Sequence, residues 1–487
     1  MTVLVVVDNP NAWPLDVPGT AVVAAREYLT DPRFVALKRA KVFNLCRSYG
    51  YQSVGYYVSL LATARGHRAV PSVATVQGLR QSSLVRIASE ELDGLIQKAL
   101  APIRSAKFDL SIYFGRNMTG RYDRLCQALF NGFPAPLLRA EFVRTEQTWR
   151  LHALRLIAYN EIPEPHREFL QAQLLRFFES RQSSRRFRPR YELAILVNPD
   201  EVDAPSDERA IRNFVKAAKR LEIAAVPIDK HHYGRIAEYD ALFIRETTAV
   251  NHHTYRFARR AEAEGLVVID DPESIVRCTN KVYQAELFER HRISAPKTLV
   301  VHKDNAASVA DVLGLPCVLK QPDSSFSAGV VKAHTAEELE SHLQNLLSRS
   351  ELVVAQEFAR SDFDWRVGVL GGQALYVCKY HMAKGHWQIQ KASSPTERKY
   401  GKVETLAVQD APRDVVELGV QTANLVGNGL YGVDIKEFQG RLLVVEVNDN
   451  PSVEAGFEDA VIKDALYDEV MAYFREQLDR RVQGMGT

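Results

Sequence analysis

Tyr431-Gly432-Val433-Asp434-Ile435-Lys436 and, beyond Gln439-Gly440, Leu442-Leu443-Val444-Val445-Glu446-Val447-Asn448-Asp449-Asn450-Pro451 are the stretches whose reading decides the fold. Both are apolar enough to be strands, and Gln439-Gly440 supplies the turn of an antiparallel hairpin. Side chains two residues apart share a strand face, so Glu446 and Asn448 point the same way. Pairing across the turn sets Asp434 beside them. Three oxygen donors with no His or Cys suit Mg²⁺, which keeps waters and phosphate oxygens as its other ligands. The competing reading is a set of edge-strand polar groups facing water. Charged residues inside so apolar a strand speak against it.

Upstream, residues 315–320 form an apolar strand that ends in Lys320. The loop Gln321-Pro322-Asp323-Ser324-Ser325-Phe326-Ser327-Ala328-Gly329 follows. Backbone N–H groups of such a loop, together with an ammonium, are one way to hold phosphates. The stretch has no Gly-Lys-Ser/Thr and is not a Walker A loop. A surface lysine at a strand end is the bland alternative. Residues 352–358 read as another strand. Residues 362–366 then lead into Val367-Gly368-Val369-Leu370 and the turn Gly371-Gly372, with Asp364 and Arg366 on one face.

Further out, the chain of 487 residues is long enough for about three domains at roughly 150 residues each. A composition of 46% hydrophobic and 25% charged residues excludes wholesale disorder. No stretch approaches the ~18 apolar residues of a spanning helix, so no membrane is expected. Five cysteines, far apart and without zinc-finger or redox spacing, read as free thiols in a reducing compartment. With no basic leader before Asp8, the expectation is a cytoplasmic chain.

Residues 3–7, 40–46 and 108–114 read as strands, with a helix ending at Gly66, which suggests an α/β layer. Residues 147–180 read as mostly helical, broken near Pro163 and Pro165. Residues 181–190 hold five arginines and read as a linker. Strands at 193–197, 226–228, 241–244 and 267–269 alternate with helices at 207–221 and 252–264, a pattern of a small parallel sheet. Arg245-Glu246-Thr247-Thr248, at a strand end, is a candidate edge of a substrate cleft. Arg47 to Ser53 is another, and a structural turn is the competing reading for both. The fold class is α/β and α+β multidomain: an N-terminal α/β domain with helical extension and Arg-rich linker over 1–190, a small parallel-sheet α/β domain over 191–273, and a C-terminal domain over 274–487.

A net charge of +2 hides an asymmetry. Residues 1–190 carry 27 Lys and Arg against 15 Asp and Glu, and the remainder carries 35 against 45. Either the two parts dock on each other, or the basic part receives an acidic partner such as a polyacidic peptide tail or nucleic acid.

Taken in order, Asn280-Lys281, Val318-Leu319-Lys320, Gln356-Glu357-Phe358, Asp364-Trp365-Arg366, Gly432-Val433-Asp434 and Glu446-Val447-Asn448 with Pro451 resemble the nucleotide-binding module of the ATP-grasp carboxylate–amine ligases. The resemblance is to the RimK-like glutamate ligases and the related glutathione synthetases, and it extends from about Ser274 to the end. Residues 191–273 then correspond to the domain that precedes an ATP-grasp fold, and residues 1–190 to the extra domain ahead of some RimK-like ligases. The resemblance implies ATP and Mg²⁺, with Mn²⁺ as a substitute, and an acylphosphate route to ADP and phosphate. It places Lys281 and Lys320 at the ATP phosphates and Arg366 facing them, with Arg366 and Lys320 as the catalytic pair. Ser324, Ser325, Ser327 and Gly329 lie in a loop closing over the β- and γ-phosphates. Gln356, Glu357 and Phe358 hold the adenine, Asp364 the ribose, and Asp434, Glu446 and Asn448 the metal. The loop departs from the family pattern in having Gly329 as its only glycine.

The implied substrates are glutamate or a similar amino acid and a peptide, protein or small-molecule acceptor. Nucleic acid is not expected, and a homo-oligomer is left open. The rival function is a non-catalytic nucleotide-sensing or nucleic-acid-binding protein on the same scaffold. The complete Asp434/Glu446/Asn448 set argues against it.

Overall fold

The computed structural model describes residues 2–13, 19–37, 40–145, 148–179, 189–323, 329–383, 390–394 and 397–482. The arginine-rich stretch 181–188 and Ser324, Ser325 and Ser327 lie outside them. The chain divides into two compact units, Met1–Tyr191 with His231–Asp240, and Glu192–Lys230 with Ala241–Thr487. No helix among the described residues is long and apolar enough to cross a membrane. All five cysteines are free and buried.

The first unit holds a parallel sheet in the order Ala21–Ala24, Thr2–Val7, Ala40–Asn44, Arg68–Val70. Alternate residues of Thr2–Val7 feed opposite cores: Leu4 and Val6 pack with Tyr28 and Val58, while Val5 and Val7 pack with Phe43 and Leu170. Burial on both faces is what makes the strand read as an unbroken apolar run. Ser53 caps the helix Val54–Ala64 by accepting from the N–H of Tyr56, so residues 47–53 form a helix-entry turn.

A second, antiparallel sheet joins Lys107–Tyr113, Leu137–Thr145 and Thr148–Leu156. This corrects the helical expectation for 147–180, because Thr148–Leu156 is a strand and the long helix begins only at Arg167. The reason is a register shift at Glu141/Phe142, which leaves His152 without a cross-strand partner. Buried positions accordingly fall at Trp149, Leu151 and Leu154. A spacing of two followed by three imitates helical periodicity.

The second unit is built on three sheets of four or five strands, with a two-stranded ribbon of Gln390–Ser394 and Glu397–Tyr400 beside them in sequence. A parallel sheet runs Val267–Ile269, Ala241–Ile244, Tyr191–Leu196, Ile223–Ile228. Its helix Glu208–Arg220 starts where Asp207 accepts from the N–H of Ala210 at 3.0 Å, the usual N-cap contact. An antiparallel sheet follows in the order Thr298–Val301, Val353–Glu357, Cys317–Lys320, Val330–Ala333. Leu339 and Leu343 of helix Ala336–Leu347 belong to its core. A five-stranded antiparallel sheet runs Val403–Leu406, Gln373–His381, Phe363–Leu370, Leu430–Phe438, Arg441–Asp449. Trp365, Val367, Val433 and Val447 share its core with helix Arg413–Val426. That leaves the polar residues of the same strands on the opposite face.

Close backbone approach in this sheet depends on glycine. A Cβ built on Gly368 would lie 2.3 Å from Cε1 of the buried Tyr376 ring. Gly368→Ala is expected to cost about 1–3 kcal/mol through overpacking. Urea unfolding of the variant checks this, and an unchanged midpoint would contradict the packing described.

Candidate active site

The hairpin closes through Gln439 and Gly440, both at positive φ, the backbone shape that two-residue hairpin turns require. Its register pairs Asp434 with Glu446 and Gly432 with Asn448. Asn448 Nδ2 donates to Asp434 Oδ2 at 3.2 Å, so the three side chains expected together do meet. Arg366 stands opposite Asp434 on the next strand. Its Nε and Nη2 each donate to one Asp434 oxygen at 2.7 Å. The guanidinium also lies 4.9 Å from the Tyr380 ring centroid. Burial acts to lower the Arg366 pKa, but Asp434 outweighs it and holds the guanidinium well above its ordinary value.

Two lysines complete this wall. Lys281 opens helix Lys281–Arg290, whose N-cap Asn280 accepts from the N–H groups of Val282 and Tyr283. Its Nζ lies 3.8 Å from Glu446 Oε2. Lys320 ends its strand facing inward and buried, which removes the surface-lysine reading. Burial, helped by Lys281 and Lys436, pushes its pKa down to about 8 against the pull of Glu446 and Asp364. At Glu446 burial acts upward, yet Lys281, Lys320 and Arg366 hold the carboxyl below its ordinary range.

Asp364 is also on this wall, but it has a partner that was not read from the sequence. Lys436 Nζ lies 2.5 Å from Asp364 Oδ1 and 2.9 Å from Ser361 Oγ. Lys436 was recoverable, because it sits two residues after Asp434 and so shares its face. Gln284 was not legible. Its buried amide accepts from the N–H of Val447 and donates to the Val447 carbonyl, fixing the edge strand between Glu446 and Asn448.

Gln356 and Glu357 end a central strand, where Gln356 Nε2 donates to Thr298 Oγ1 at 2.9 Å and Glu357 Oε1 accepts from the N–H of Lys297 at 2.9 Å. The Phe358 ring lies 4.3 Å under Lys332 Nζ. Gly329 closes its loop by accepting from the N–H of Gln321 at 3.0 Å.

One cavity of ≈ 630 Å³ takes in Lys281, Lys320, Gln356, Glu357, Phe358, Asp364, Arg366, Asp434, Glu446 and Asn448. Its wall also includes Glu201, Glu454 and Glu458. Burial and then Glu458 push Glu454 up to about 7. Thr247 and Thr248 line the cavity as well, whereas Arg245 is buried behind it. On this wall Asp434, Glu446 and Asn448 present three oxygen-bearing side chains together, ringed by cations. That donor set fits a hard divalent ion accompanied by phosphate oxygens.

An antiparallel two-sheet clasp with cations and carboxylates facing one cavity is the architecture of an ATP-dependent carboxylate–amine ligase of the ATP-grasp class. Residues 278–467 match the RimK-like ATP-grasp domain, and residues 25–173 match the RimK-like ATPgrasp N-terminal domain. With these two domains the chain belongs to the RimK-like ATP-grasp family. It is 28% identical over 243 residues to a probable alpha-L-glutamate ligase of Psychromonas ingrahamii, covering 49% of this chain and 76% of that protein. It is 29% identical over 197 residues to the alpha-aminoadipate–LysW ligase LysX of Saccharolobus solfataricus, covering 39% and 68% respectively. Among solved structures, D-alanine–D-alanine ligase from Bacillus anthracis aligns with a TM-score of 0.46 and 15% identity, over 61% of this chain and 99% of that one.

If Lys320 meets the phosphates, its lowered pKa links nucleotide binding to proton uptake. A triphosphate beside Lys320 favours its charged form, so binding near pH 8 should take up protons. Calorimetry of ATP binding in buffers of different ionisation enthalpy measures that uptake. Lys320→Met should abolish it and weaken ATP binding by ~1–3 kcal/mol. Equal uptake in both proteins would contradict the assignment.

Proposed function

We propose that the protein adds glutamate or a similar amino acid to a peptide, protein or small-molecule acceptor, by way of an acylphosphate. The observation that carries this reading is the single cavity wall on which Arg366, Lys281 and Lys320 surround Asp434, Glu446 and Asn448. The names of the two relatives, a glutamate ligase and an aminoadipate–LysW ligase, favour an amino acid as one of the joined partners.

In this reading Asp434, Glu446 and Asn448 hold Mg²⁺, or Mn²⁺ in its place. The ion when bound would draw charge from the phosphoryl oxygens. Lys281 and Lys320 bind the phosphates. Gln356, Glu357 and Phe358 receive the adenine, and Asp364, held by Lys436, receives a ribose hydroxyl. Ser324, Ser325, Ser327 and Gly329 belong to the loop over the β- and γ-phosphates. The three-domain division at 190 and 273 stays part of the same reading.

A donor carboxylate and a triphosphate repel, and Lys320 and Arg366 screen that repulsion. The carboxylate oxygen attacks the γ-phosphorus, the bond to the bridging oxygen breaks, and ADP leaves. An amine then attacks the acyl carbon and phosphate departs with the former carboxylate oxygen. The amine must lose a proton. Glu454, held at about 7 on the carboxylate-rich part of the wall, is suited to accept it. Enclosure limits hydrolysis of the acylphosphate.

Turnover with pooled amino acids and peptides, read by mass spectrometry, identifies the product. Glu446→Gln should keep the fold by circular dichroism and lose turnover, and near-normal turnover would sink the metal assignment. With ¹⁸O in the donor carboxylate, label is expected in inorganic phosphate, alongside ADP. AMP as the main nucleotide product would overturn the acylphosphate route.

A further inference from the structure

Glu246, His252 and His253 belong to neither the nucleotide-facing wall nor the family signature, yet their ligating atoms all lie within 4.8 Å of one another. Glu246 follows the strand Ala241–Ile244, and His252 and His253 stand at the start of helix His253–Ala263. The intervening turn brings the helix start back onto the strand end. His253 Nε2 lies 2.8 Å from Glu246 Oε2. The two imidazole rings sit with centroids 3.9 Å apart.

We infer that Glu246, His252 and His253 form a second metal site, suited to a borderline transition ion such as Zn²⁺ and not to Mg²⁺. Two imidazoles and one carboxylate are a zinc donor set that leaves a fourth position for water. Mg²⁺, by contrast, is selected by oxygen ligands. An ion pair with Glu246 needs only one imidazole and does not account for the second ring, tilted by 47° beside it. Around a tetrahedral ion with bonds of ~2.0–2.2 Å, donors lie about 3.3–3.6 Å apart. The Glu246–His253 pair is therefore already close enough, and a ligating atom of His252 lies within 4.8 Å of both.

The surroundings are those of a prepared site. Glu246 is 2% exposed, so its carboxylate is not a solvated surface group. Its other oxygen, Oε1, accepts from Asn198 Nδ2 at 3.2 Å, which leaves Oε2 turned to the histidines. Thr254 Oγ1, 3.1 Å from His252 Nδ1, orients that ring. The Glu246 carbonyl accepts from Asn450 Nδ2 at 2.6 Å, which fixes the strand end itself. Hydrogen bonds of this kind from outside the ligand set are what orient metal-binding side chains.

The position gives the ion a task. Thr247 and Thr248 follow Glu246 directly and line the cavity. Thr248 Oγ1 donates to Asp449 Oδ2 at 2.7 Å, next in sequence to Asn448. An ion joining the strand end to the helix start would pin the loop that steadies the end of the hairpin.

The test uses the untagged full-length protein, stripped of metal and titrated with Co²⁺ in excess Mg²⁺. The expected result is one Co²⁺ per chain, with visible absorption of a four- or five-coordinate ion, no thiolate charge-transfer band, and displacement by Zn²⁺. His253→Ala and Glu246→Gln should abolish this binding. Asn198→Ala, which touches no ion, should weaken it about 10- to 100-fold. Failure of the wild-type chain to retain Co²⁺ or Zn²⁺ would overturn the site without reference to any variant. Binding left unchanged by Asn198→Ala and His253→Ala, or a thiolate band, would overturn it as well.

Discussion

The arrangement turns on the two hydrogen bonds from Arg366 to Asp434. Both groups are largely buried, and a buried charge is tolerated only when it is paired and hydrogen-bonded. Removing either one would leave the other as an uncompensated charge in the middle of a sheet. The pair in turn demands its neighbours. Its two strands must hold the register that sets Arg366 opposite Asp434. Gly432 must lack a side chain, because a Cβ there would lie 2.8 Å from Pro451 Cβ and 3.4 Å from Arg366 Cδ. Gln284 must hold the outer strand at Val447, since an edge strand has a partner on one side only.

Around that pair the wall is balanced on a small charge difference. Lys281, Lys320, Arg366 and Lys436 face Asp364, Asp434 and Glu446. Each acid has a basic neighbour, and Lys320 carries the cost of the surplus as a pKa pushed down by burial to about 8. A surplus of buried positive charge is a preorganised receptor for an anion, because the stabilising groups are in place before the ligand arrives. The carboxylates Glu201, Glu454 and Glu458 give the same cavity a second, acidic character. Burial raises all three above the ordinary carboxylate range.

Arg245 joins the parallel sheet of the second unit to the end of the hairpin. Its guanidinium donates to Ser206 Oγ, Asn450 Oδ1 and the carbonyls of Pro205 and Pro451. Asn450, at positive φ, thus accepts from Arg245 and donates to the Glu246 carbonyl. The end of the strand carrying Glu446 and Asn448 is thereby held by residues some two hundred positions earlier in the chain. Residues nominated from sequence as a cleft edge divide accordingly: Thr247 and Thr248 face the cavity, and Arg245 supports it from behind.

The hairpin, its turn and the meeting of Asp434, Glu446 and Asn448 were legible in the sequence, because strand periodicity and a Gln-Gly turn fix which side chains share a face. The helix stop at Gly66, a glycine at positive φ, is local in the same sense. The strand Thr148–Leu156 was not, since a one-residue irregularity replaced its period of two with a helix-like spacing. The mate of Arg366, the burial of Lys320 and Arg245, and the clamp of Gln284 on Val447 were not legible either. By itself the sequence determined which residues carry charge and which face of a strand they occupy. Only the tertiary structure decided which charges are paired, because pairing depends on distances between segments far apart in the chain and on how much water their packing removes.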